Sequence, residues 1–551
     1  MSGCGAGGGA SSATMTETTA AAATWAAGDA GAYEDEGAYP AEEYYEEEKD
    51  VSEKMEANDL AGTPMENTGK SSAPMAGKYR QAYGPEDFNT EEYSYISENG
   101  YKSVAEDPLS TFSVDVDTAS YGNVRRMIRA GGSIPADAVR IEELINYFDY
   151  DYPQPKEGEP FAVTTEYGDC PWNEGHRLLM VGLQAKDIDF EDRPASNFVF
   201  LLDVSGSMYS DDKLPLVQKA FAMLAENLTA DDRVSIVTYA GYESVVLDGV
   251  PGSEKAKIVA ALEDLEAGGS TAGEAGIQKA YALAEKNFIP GGNNRVILAT
   301  DGDLNVGISS EGGLVRLIKE KKKSGVHLSV LGVGTGNIKD NKMEALADNG
   351  DGNYNYLDSL YEAKKVLVDE MGGTLITVAK DVKIQVEFNP RYVTGYRLVG
   401  YENRLLKNED FHNDKVDAGE IGAGHTVTAL YEIIPGEGGG QKLKYQQAGE
   451  PAGSTELLTV SLRYKAPNGD TSKLVEYPVE ADSYRREMSD NLRFASAVAE
   501  FGMVLRDSEN KGNASLGHVM ELAEPCVRAD SDGYRKEFLQ LVQEAERTGF
   551  R

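Results

Sequence analysis

The chain has 551 residues and a formal net charge of −39 at pH 7, from 92 acidic and 53 basic side chains. This length is enough for two to four domains with cores of their own, and the acidic balance argues against a nucleic-acid partner, which requires basic patches. Three cysteines and five histidines are too few for a zinc cluster, a disulfide scaffold or a histidine-rich metal site, and no apolar run is long enough to span a bilayer.

The first residues, Met1 to Cys4, are similar to the end of a bacterial lipoprotein signal, where small residues precede a cysteine that becomes lipidated. The charged and apolar regions of a signal peptide do not precede them, so either the start was trimmed or the similarity is chance. Residues 1–85 otherwise have the composition of an acidic stalk, which low apolar content and like-charge repulsion keep disordered and extended. We therefore predict a lipid anchor at Cys4 that holds the protein outside the cytoplasm, on the surface of a bacterial cell membrane.

Ordered structure is expected to begin near residue 86, with an N-terminal α+β region that extends to residue 195. Alternating apolar residues indicate strands, and apolar residues at three- and four-residue spacing indicate helices. The predicted elements are a strand at 109–117, a helix from 118 with Asp117 or Thr118 as its N-cap, a helix near 140–147, and strands at 161–166 and 178–184.

Residues 196–379 alternate between strand-like and helix-like segments, and the strands are almost wholly apolar. That alternation is typical of a doubly wound, mostly parallel α/β sheet of Rossmann-like type. The strands are predicted at 198–203, 234–239, 296–300 and 327–333, with shorter ones near 245–247 and 354–356. The helices are predicted at 213–228, 254–265, 273–287, 312–324 and 359–376.

Two further regions follow the α/β sheet. Residues 380–482 contain strand-like segments separated by Gly, Pro and Asn turns, which predicts a β-sandwich. Because strand-like segments also precede residue 196, we hypothesise that the α/β sheet is inserted into one sandwich built from both flanks. Residues 483–551 show helical periodicity and are expected to form a small helical cap, in which His518 is an ordinary surface or packing residue.

A candidate site lies where the first strand of the predicted α/β sheet ends. The apolar residues 198–202 run directly into Asp203-x-Ser205-x-Ser207, so one carboxylate and two hydroxyls follow a buried strand. In open α/β sheets ligands bind at the carboxyl ends of the strands. Carboxylate and hydroxyl oxygens suit a hard cation such as Mg²⁺.

Two later loops supply further oxygen ligands. Thr271 lies in a Gly-rich loop before an amphipathic helix, where Ser270 or Thr271 can also cap the helix. Asp301 follows the strand predicted at 296–300 and adds a second carboxylate at the same edge of the sheet. Each loop alone is a weak signal, since Asp and Ser are common in turns. The ordered set of three loops predicts a metal site.

This ordered set resembles the von Willebrand factor type A domain and its metal-ion-dependent adhesion site. Asp203, Ser205 and Ser207 match the first element of that site, and Thr271 and Asp301 match its later threonine and aspartate. The similarity extends over residues 86–551, which look like a bacterial family of surface-anchored type A domain proteins with conserved flanking segments. The segments that carry this wider similarity are 112–121, Cys170-Pro171-Trp172-Asn173 and 394–401.

The resemblance implies how the site works. Ser205 and Ser207 would bind the metal directly, and Thr271 would do so in the ligand-bound form. Asp203 and Asp301 would act mostly through water. Mg²⁺ is the expected ion, with Mn²⁺ or Ca²⁺ as alternatives. A cation with few direct anionic ligands stays electrophilic, so a Glu or Asp carboxylate of a partner protein is expected to complete its coordination.

Other carboxylates near these loops have structural interpretations. They are Asp115 and Asp117 at a strand-to-helix turn, Asp211 and Asp212 in a solvated turn, and Asp303 beside the second metal carboxylate. Asp348, Asp351 and Asn353 surround glycines without the spacing of a calcium loop, so this segment is interpreted as a turn. Whether Cys170 and Cys526 pair in an oxidising compartment stays open.

The predicted function is a non-enzymatic, metal-dependent protein-binding module. The sequence has no phosphate-binding loop, no nucleophile elbow and no His-Glu-x-x-His motif, and the three loops contain no histidine to act as a base. Two alternatives remain: a scaffold of an envelope assembly in which the metal only stabilises the fold, and a Mg²⁺-dependent hydrolase. The sequence identifies neither the partner nor the oligomeric state.

Overall fold

The computed structural model describes residues 89–114, 117–188, 193–269, 273–302, 310–436, 454–467, 469–530 and 532–549. All of them belong to one unit, which extends from residue 83 to residue 551. Cys4 and the predicted stalk lie outside the described residues, as do Asp115, Thr271 and Asp303. The lipid anchor and the disordered stalk therefore stay predictions.

The regular structure of the described residues consists of three β-sheets and the helices that pack on them. The strands are β1 (Lys102–Ser103), β2 (Leu109–Ser113), β3 (Phe161–Asp169), β4 (Arg177–Ala185), β5 (Ser196–Asp203), β6 (Arg233–Ala240), β7 (Tyr242–Pro251), β8 (Asn293–Thr300), β9 (His327–Val333), β10 (Tyr354–Leu357), β11 (Thr377–Phe388), β12 (Val393–Val399), β13 (Gly419–Gly422), β14 (Thr426–Pro435), β15 (Glu456–Lys465) and β16 (Lys473–Glu480). The α-helices are α1 (Ala119–Ala130), α2 (Ile141–Asn146), α3 (Leu214–Glu226), α4 (Lys255–Glu263), α5 (Gly273–Lys286), α6 (Glu311–Lys321), α7 (Asp340–Asp348), α8 (Leu360–Lys364), α9 (Met371–Leu375), α10 (Asp490–Arg506), α11 (Leu516–Ala523) and α12 (Tyr534–Thr548).

The α/β sheet has the strand order β10-β9-β8-β5-β6-β7. Its strands are parallel except for the edge strand β7, which runs antiparallel to β6. Successive side chains of a strand point to opposite faces, so Phe200 of β5 shares a core with α3 and α4, and Leu201 shares one with α5 and α6. Helices cover both faces, which confirms the predicted doubly wound, mostly parallel α/β fold.

Two antiparallel sheets flank the α/β sheet, with the orders β1-β12-β14-β4-β3 and β13-β11-β15-β16, and β2 also pairs with β11. Strands from before and after the α/β sheet are neighbours in both. Leu430 of β14 pairs with Met180 of β4, and Ile384 of β11 pairs with Phe112 of β2. Side chains of the two sheets share one hydrophobic core. The pairings confirm the hypothesis that the α/β sheet is inserted into a sandwich built from both flanks.

A further hydrophobic core lies between helices from the two ends of the described chain. Val124 of α1 and Leu144 of α2 belong to the same core as Val498 of α10 and Phe538 of α12. The predicted C-terminal helical region is therefore completed by helices from the N-terminal flank. Residues 86–195, expected to form one region, are divided between this helical core and the sandwich.

A buried ion network joins the helical core to the last helices of the α/β region. Arg125 of α1 lies 2.6 Å from the carboxylate of Asp358 and 2.7 Å from that of Glu362 in α8. The Tyr147 hydroxyl donates a hydrogen bond to Glu362 and accepts one from Arg125. Removing one partner of a buried ion pair typically costs about 3–5 kcal/mol, because the other charge is left uncompensated. The network therefore fixes α1 against α8.

The predicted cap of the first helix is confirmed in position only. Thr118 is the N-cap residue of α1, but its side chain makes no capping hydrogen bond. The side chains of Asp117 and Thr118 bond to β10 instead. The Asp117 carboxylate accepts a hydrogen bond from the Tyr354 amide at 2.7 Å, and the Thr118 hydroxyl donates to the Asn355 side chain at 2.8 Å. The structural interpretation of Asp117 is confirmed.

The helix predicted at 359–376 is also not continuous. A π-helical turn, Lys365–Asp369, separates α8 from α9. There the Lys365 ammonium lies over the rings of Tyr147 and Tyr534, at 4.7 and 4.9 Å, and these partners come from distant parts of the chain. Helix α7 and strand β13 have no counterpart among the predicted elements, since each carries too few apolar residues to show a period.

The structure answers the question of the cysteines. Cys170 and Cys526 are both buried free thiols, so they do not form a disulfide. Burial raises the pKa of both thiols, that of Cys526 to about 11, which keeps them protonated and unreactive at neutral pH.

Within the described ranges, none of the helices combines the length and the apolar character that a bilayer span requires.

Glu500 of α10 makes the helical core sensitive to pH. One of its buried carboxyl oxygens has no hydrogen-bond partner among the described residues, and the other lies 3.0 Å from Nδ1 of His518. Burial raises the pKa of Glu500 from its ordinary value of 4.5 to about 8. The folded state therefore favours the protonated carboxyl, and this contribution to stability is lost as the pH rises from about 4.5 to about 8.

We expect Glu500→Gln to remove this loss of stability. Relative to the wild type, the melting temperature of the variant should rise as the pH increases from 5 to 8, because each pH unit costs the wild type up to about 1.4 kcal/mol of unfolding free energy. Thermal unfolding followed by circular dichroism at several pH values measures the difference. Glu521→Gln, at an exposed position of α11, is the control. Parallel pH profiles for Glu500→Gln and the wild type would contradict the prediction.

Candidate metal centre

Strand β5 brings Asp203 to the carboxyl edge of the α/β sheet. Asp203 is the last residue of β5 and is fully buried, and its Oδ1 accepts a hydrogen bond from the Ser205 amide at 2.9 Å. The chain then forms the 3₁₀ turn Gly206–Tyr209. The hydroxyl oxygens of Ser205 and Ser207 lie 3.0 Å apart and are hydrogen-bonded to each other. The turn therefore presents two hydroxyls side by side, next to a buried carboxyl.

Strand β8 brings Asp301 to the same edge, because β8 is parallel to β5 with Ala299 opposite Leu202. Asp301 follows β8 directly and is fully buried. The hydroxyl of Thr300, the last residue of β8, donates a hydrogen bond to Oδ2 of Asp203 at 3.2 Å. Two buried carboxyls are therefore close neighbours at the ends of adjacent strands.

The loop that leads to Thr271 lies against the same turn. The Gly206 amide donates a hydrogen bond to the Gly269 carbonyl at 3.0 Å, and the Gly268 amide donates to the Val204 carbonyl at 2.7 Å. Gly269 has a φ of +86°, a conformation that glycine adopts without strain. Thr271 itself lies outside the described residues, so its part in the site stays a prediction.

Lys213 and Asn337, which the sequence analysis did not identify, complete the cluster. The Lys213 ammonium lies 2.9 Å from Oδ2 of Asp301 and 3.1 Å from the side-chain oxygen of Asn337. The Lys213 side chain is only 8% exposed, so this is a buried ion pair. Gly334 provides the space, since a Cβ at that position would lie 2.2 Å from Cε of Lys213.

The two carboxyls have different electrostatic surroundings. Burial raises the pKa of Asp203 to about 6, and the charge of Asp301 adds to the rise. Hydrogen bonds from Ser205 act in the opposite direction and lower this pKa. Burial acts on Asp301 as well, but hydrogen bonding to Asn337, the charge of Lys213 and a hydrogen bond from Ser207 together lower its pKa. Asp301 is the firmly ionised group, and Asp203 is the carboxyl whose ionised form a nearby cation stabilises.

The residues at this edge fit a hard cation such as Mg²⁺. Every candidate ligand atom is an oxygen, as Mg²⁺ prefers. Adjacent ligands of an octahedral Mg²⁺ are about 3.0 Å apart, and the hydroxyl oxygens of Ser205 and Ser207 are separated by 3.0 Å. Asp203 and Asp301 supply the negative charge that offsets part of the ion's charge. These four residues, with Thr271 from the third loop, could hold Mg²⁺.

One sequence signal could have pointed to Lys213. This residue directly precedes α3, where a cation opposes the positive end of the helix dipole. An unfavourable charge at a helix start indicates a partner elsewhere, which here is Asp301. Asn337 carries no comparable signal, because it reaches the cluster from the loop after β9.

Three family models match the chain. Residues 197–370 match the von Willebrand factor type A domain, and residues 87–180 match a model described as von Willebrand factor. Residues 373–548 match a model described as "Uncharacterized protein YfbK, C-terminal". Together with the doubly wound sheet, they define a von Willebrand factor type A domain protein, a class that suggests a protein-interaction module.

The chain is 46% identical over 469 residues to "Uncharacterized protein YfbK" of Escherichia coli (strain K12). The aligned residues cover 83% of this chain and 81% of that protein. The chain belongs to the YfbK family. It is also 27% identical over 146 residues to inter-alpha-trypsin inhibitor heavy chain H2 of Sus scrofa, over 25% of this chain and 16% of that protein. A solved structure, von Willebrand factor type A from Catenulispora acidiphila, is 16% identical with a TM-score of 0.41, over 72% of this chain and 97% of that chain.

The Lys213–Asp301 ion pair gives a direct test of the centre. In Lys213→Met the buried Asp301 carboxylate loses its cation, which should lower the free energy of unfolding by about 3 kcal/mol in EDTA. A divalent ion restores positive charge beside Asp301. Saturating Mg²⁺ should therefore raise the melting temperature of the variant more than that of the wild type.

Differential scanning calorimetry with and without Mg²⁺ measures this difference. Lys219→Met, at an exposed position of the same helix α3, is the matched control and should respond to Mg²⁺ as the wild type does. An equal response of Lys213→Met and the wild type would show that the ion and the ammonium do not act on the same carboxylate.

Proposed function

We propose that the protein is a metal-dependent protein-binding module, in which the carboxyl edge of the α/β sheet holds Mg²⁺ and a partner contributes a carboxylate. The residues that hold the ion are Asp203, Ser205, Ser207, Thr271 and Asp301. The observation that carries the proposal is the 3.0 Å separation of the two serine hydroxyls beside two buried carboxyls. Burying carboxyls is costly, and such clusters are typical of functional sites.

The charge of the cluster explains why a partner carboxylate is the expected ligand. Asp203 and Asp301 carry two negative charges when ionised, and the Lys213 ammonium offsets one of them. The hydroxyls of Ser205 and Ser207 are neutral, so they position a cation without reducing its charge. Mg²⁺ bound there keeps a net positive charge and offers an exchangeable position to a Glu or Asp carboxylate. Mn²⁺ and Ca²⁺ accept oxygen ligands too and are the alternatives.

Two exposed tyrosines near this edge suit a protein partner. Tyr209 ends the 3₁₀ turn that contains Ser207 and is 82% exposed, and Tyr242 begins β7 and is 75% exposed. Gly269, beside the metal turn, lies against Ala240 at the end of β6, so the connection from β6 to β7 adjoins the same edge. Tyrosine combines a large contact area with a hydrogen-bonding group and is enriched where interfaces gain most of their affinity.

The proposed location is the surface of a bacterial cell. It rests on Cys4, which follows small residues, and on the acidic composition of residues 5–85. A lipid anchor at Cys4 would be the protein's link to the membrane, and the acidic segment would act as a spacer between the membrane and the folded part. The metal-dependent site would then face partners outside the cytoplasm.

The composition of the three loops favours a binding function over hydrolysis. None of the residues in 203–207, 268–273 and 300–303 is a histidine that could act as a general base. Asp301 is paired with Lys213, and Asp203 holds the amide of its own turn. A scaffold whose metal only stabilises the fold differs from a binding module in one measurable property, the metal dependence of partner capture.

Partner capture should depend on Mg²⁺ and on Asp203. The immobilised full chain is expected to retain a partner from the native envelope in Mg²⁺ and to release it in EDTA. Asp203→Ala and the near-isosteric Asp203→Asn should each reduce capture at least about tenfold, which corresponds to about 1.4 kcal/mol of binding free energy. Isothermal titration with Mg²⁺ should show the same loss for the ion. Asp211→Asn, an exposed carboxylate close to the turn, is the matched control and should behave as the wild type.

Tyr209→Ala separates metal binding from partner contact. This variant should bind Mg²⁺ as the wild type does and capture less partner, because only the surface beside the ion has changed. Capture that survives EDTA would contradict the proposal and favour the scaffold. Turnover of a phosphate or ester substrate that disappears in Asp203→Ala would favour the hydrolase.

A further inference from the structure

A second cluster of metal-ligating side chains lies at the opposite edge of the α/β sheet. His327 is the first residue of β9, and Asp351 shortly precedes β10, whereas Asp203 ends the parallel strand β5. Strands of seven to eight residues separate the two edges by about 23 Å. Glu420 of β13, which belongs to the sandwich, completes the cluster.

The three side chains are close enough to share an ion. One ring nitrogen of His327 and one carboxylate oxygen from each of Asp351 and Glu420 lie within 4.8 Å of one another. Ligand atoms of a tetrahedral Zn²⁺ are about 3.4 Å apart, so small side-chain rotations bring these atoms to coordination distance. Three protein ligands leave one position for water.

The hydrogen bonding of His327 prepares it to act as a ligand. Its Nδ1 lies 3.1 Å from the carbonyl oxygen of Asp351. A carbonyl only accepts, so Nδ1 carries the proton and Nε2 presents its lone pair. Histidines that bind metals usually donate the other ring N–H to a carbonyl or carboxylate in this way. Burial and the charge of Arg295 lower the pKa of His327 to about 3, so the ring is neutral.

The backbone of Asp351 is in an unusual conformation. Its φ is +51°, in the left-handed region that residues other than glycine rarely adopt. Backbone strain of this kind is concentrated at functional sites. The Lys322 ammonium lies 2.7 Å from Oδ1 of Asp351 and also 2.7 Å from Oδ2 of Asp417.

Glu420 is a half-buried carboxyl beside a second carboxyl. Its Oε2 accepts a hydrogen bond from the Thr377 hydroxyl at 3.1 Å. Burial raises the pKa of Glu420 to about 8, and the charge of Asp351 adds to this rise. The nearby Arg295 donates from Nη1 to Ser329, and its Nε has no hydrogen-bond partner among the described residues. A bound cation would favour the ionised form of Glu420, which is the form that binds a metal.

A cavity of about 280 Å³ reaches the cluster. Its charged lining residues are the basic Arg404 and the acidic Asp117, Asp348, Asp351, Asp417 and Glu420. Arg404 pairs with Asp117 and Asp348, and Lys322 pairs with Asp351 and Asp417. The acidic side chains still outnumber these two cations, which favours positive ions, and the cavity volume gives a hydrated ion access to the two carboxyls.

We propose that His327, Asp351 and Glu420 form a second metal site, which binds a divalent first-row transition ion such as Zn²⁺. An imidazole together with two carboxylates favours such an ion over Mg²⁺, which prefers oxygen ligands alone. Glu420 belongs to the sandwich, and the other two ligands belong to the α/β sheet, so the ion joins the two layers. This proposal does not depend on the function proposed for the carboxyl edge.

Isothermal titration of the full chain with ZnCl₂, after removal of metals and in saturating Mg²⁺, tests the site. The wild type is expected to bind one zinc ion with micromolar or better affinity. His327→Ala and the isosteric Glu420→Gln should each weaken zinc binding more than about 100-fold. The loss of an outer-shell partner alone costs roughly 10- to 100-fold, and these residues are proposed as direct ligands. Asp203→Ala, at the other edge, and His412→Ala, at an exposed histidine, should bind zinc as the wild type does.

Zinc should also raise the melting temperature of the wild type and of Asp203→Ala, but not that of Glu420→Gln, because an ion that binds only the folded state stabilises it. Glu420→Gln keeps the shape of the side chain and an acceptor for Thr377, and its circular dichroism spectrum without zinc should match that of the wild type. The proposal is overturned if the wild type binds no zinc in this titration, or if His327→Ala and Glu420→Gln bind it as the wild type does.

Discussion

The parallel pairing of β5 with β8 is the constraint on which the candidate metal centre depends. It brings Asp203 and Asp301, which are far apart in the sequence, to the same edge of one sheet. Placing two carboxyls side by side in a buried site is costly, and polar neighbours reduce that cost. The Thr300 hydroxyl bonds to Asp203, and the Lys213 ammonium pairs with Asp301. The serine hydroxyls are neutral ligands, which suits the proposed site, because an ion held there would keep enough positive charge to attract an external carboxylate.

The flanking regions hold the α/β sheet from one side. Asp117 and Arg125, from the N-terminal flank, contact β10 and the start of α8, and the zinc site that we propose would add a link from β13 to the same side. At the other end of the strand order, the edge strand β7 presents the exposed side chains of Tyr242 and Val245. This division suits the proposed binding module, because one side of the sheet is anchored and, among the described residues, the opposite edge strand has exposed side chains.

How far the sequence predicts the structure depends on the range of the interactions. Strands such as β5 and β8 are found from their apolar runs, and the positions of Asp203 and Asp301 follow from the parallel topology. The interrupted helix around Lys365 and the partners of Asp117 could not be predicted, because they depend on contacts between distant segments. Asp351 illustrates both cases. Its backbone is the turn that the sequence indicates, but its approach to Glu420 depends on how the sandwich packs against the α/β sheet, which no local pattern encodes.

The central claim is that the cluster at the carboxyl edge binds a divalent cation through Ser205 and Ser207. Anomalous diffraction from crystals of the protein soaked in MnCl₂ tests it most directly, since Mn²⁺ takes the same oxygen ligands and scatters anomalously. We expect a peak about 2.0–2.3 Å from both serine hydroxyl oxygens, on the side of Asp203 and Asp301. A map at saturating Mn²⁺ with no peak there, and with the two hydroxyls still hydrogen-bonded to each other, would contradict it.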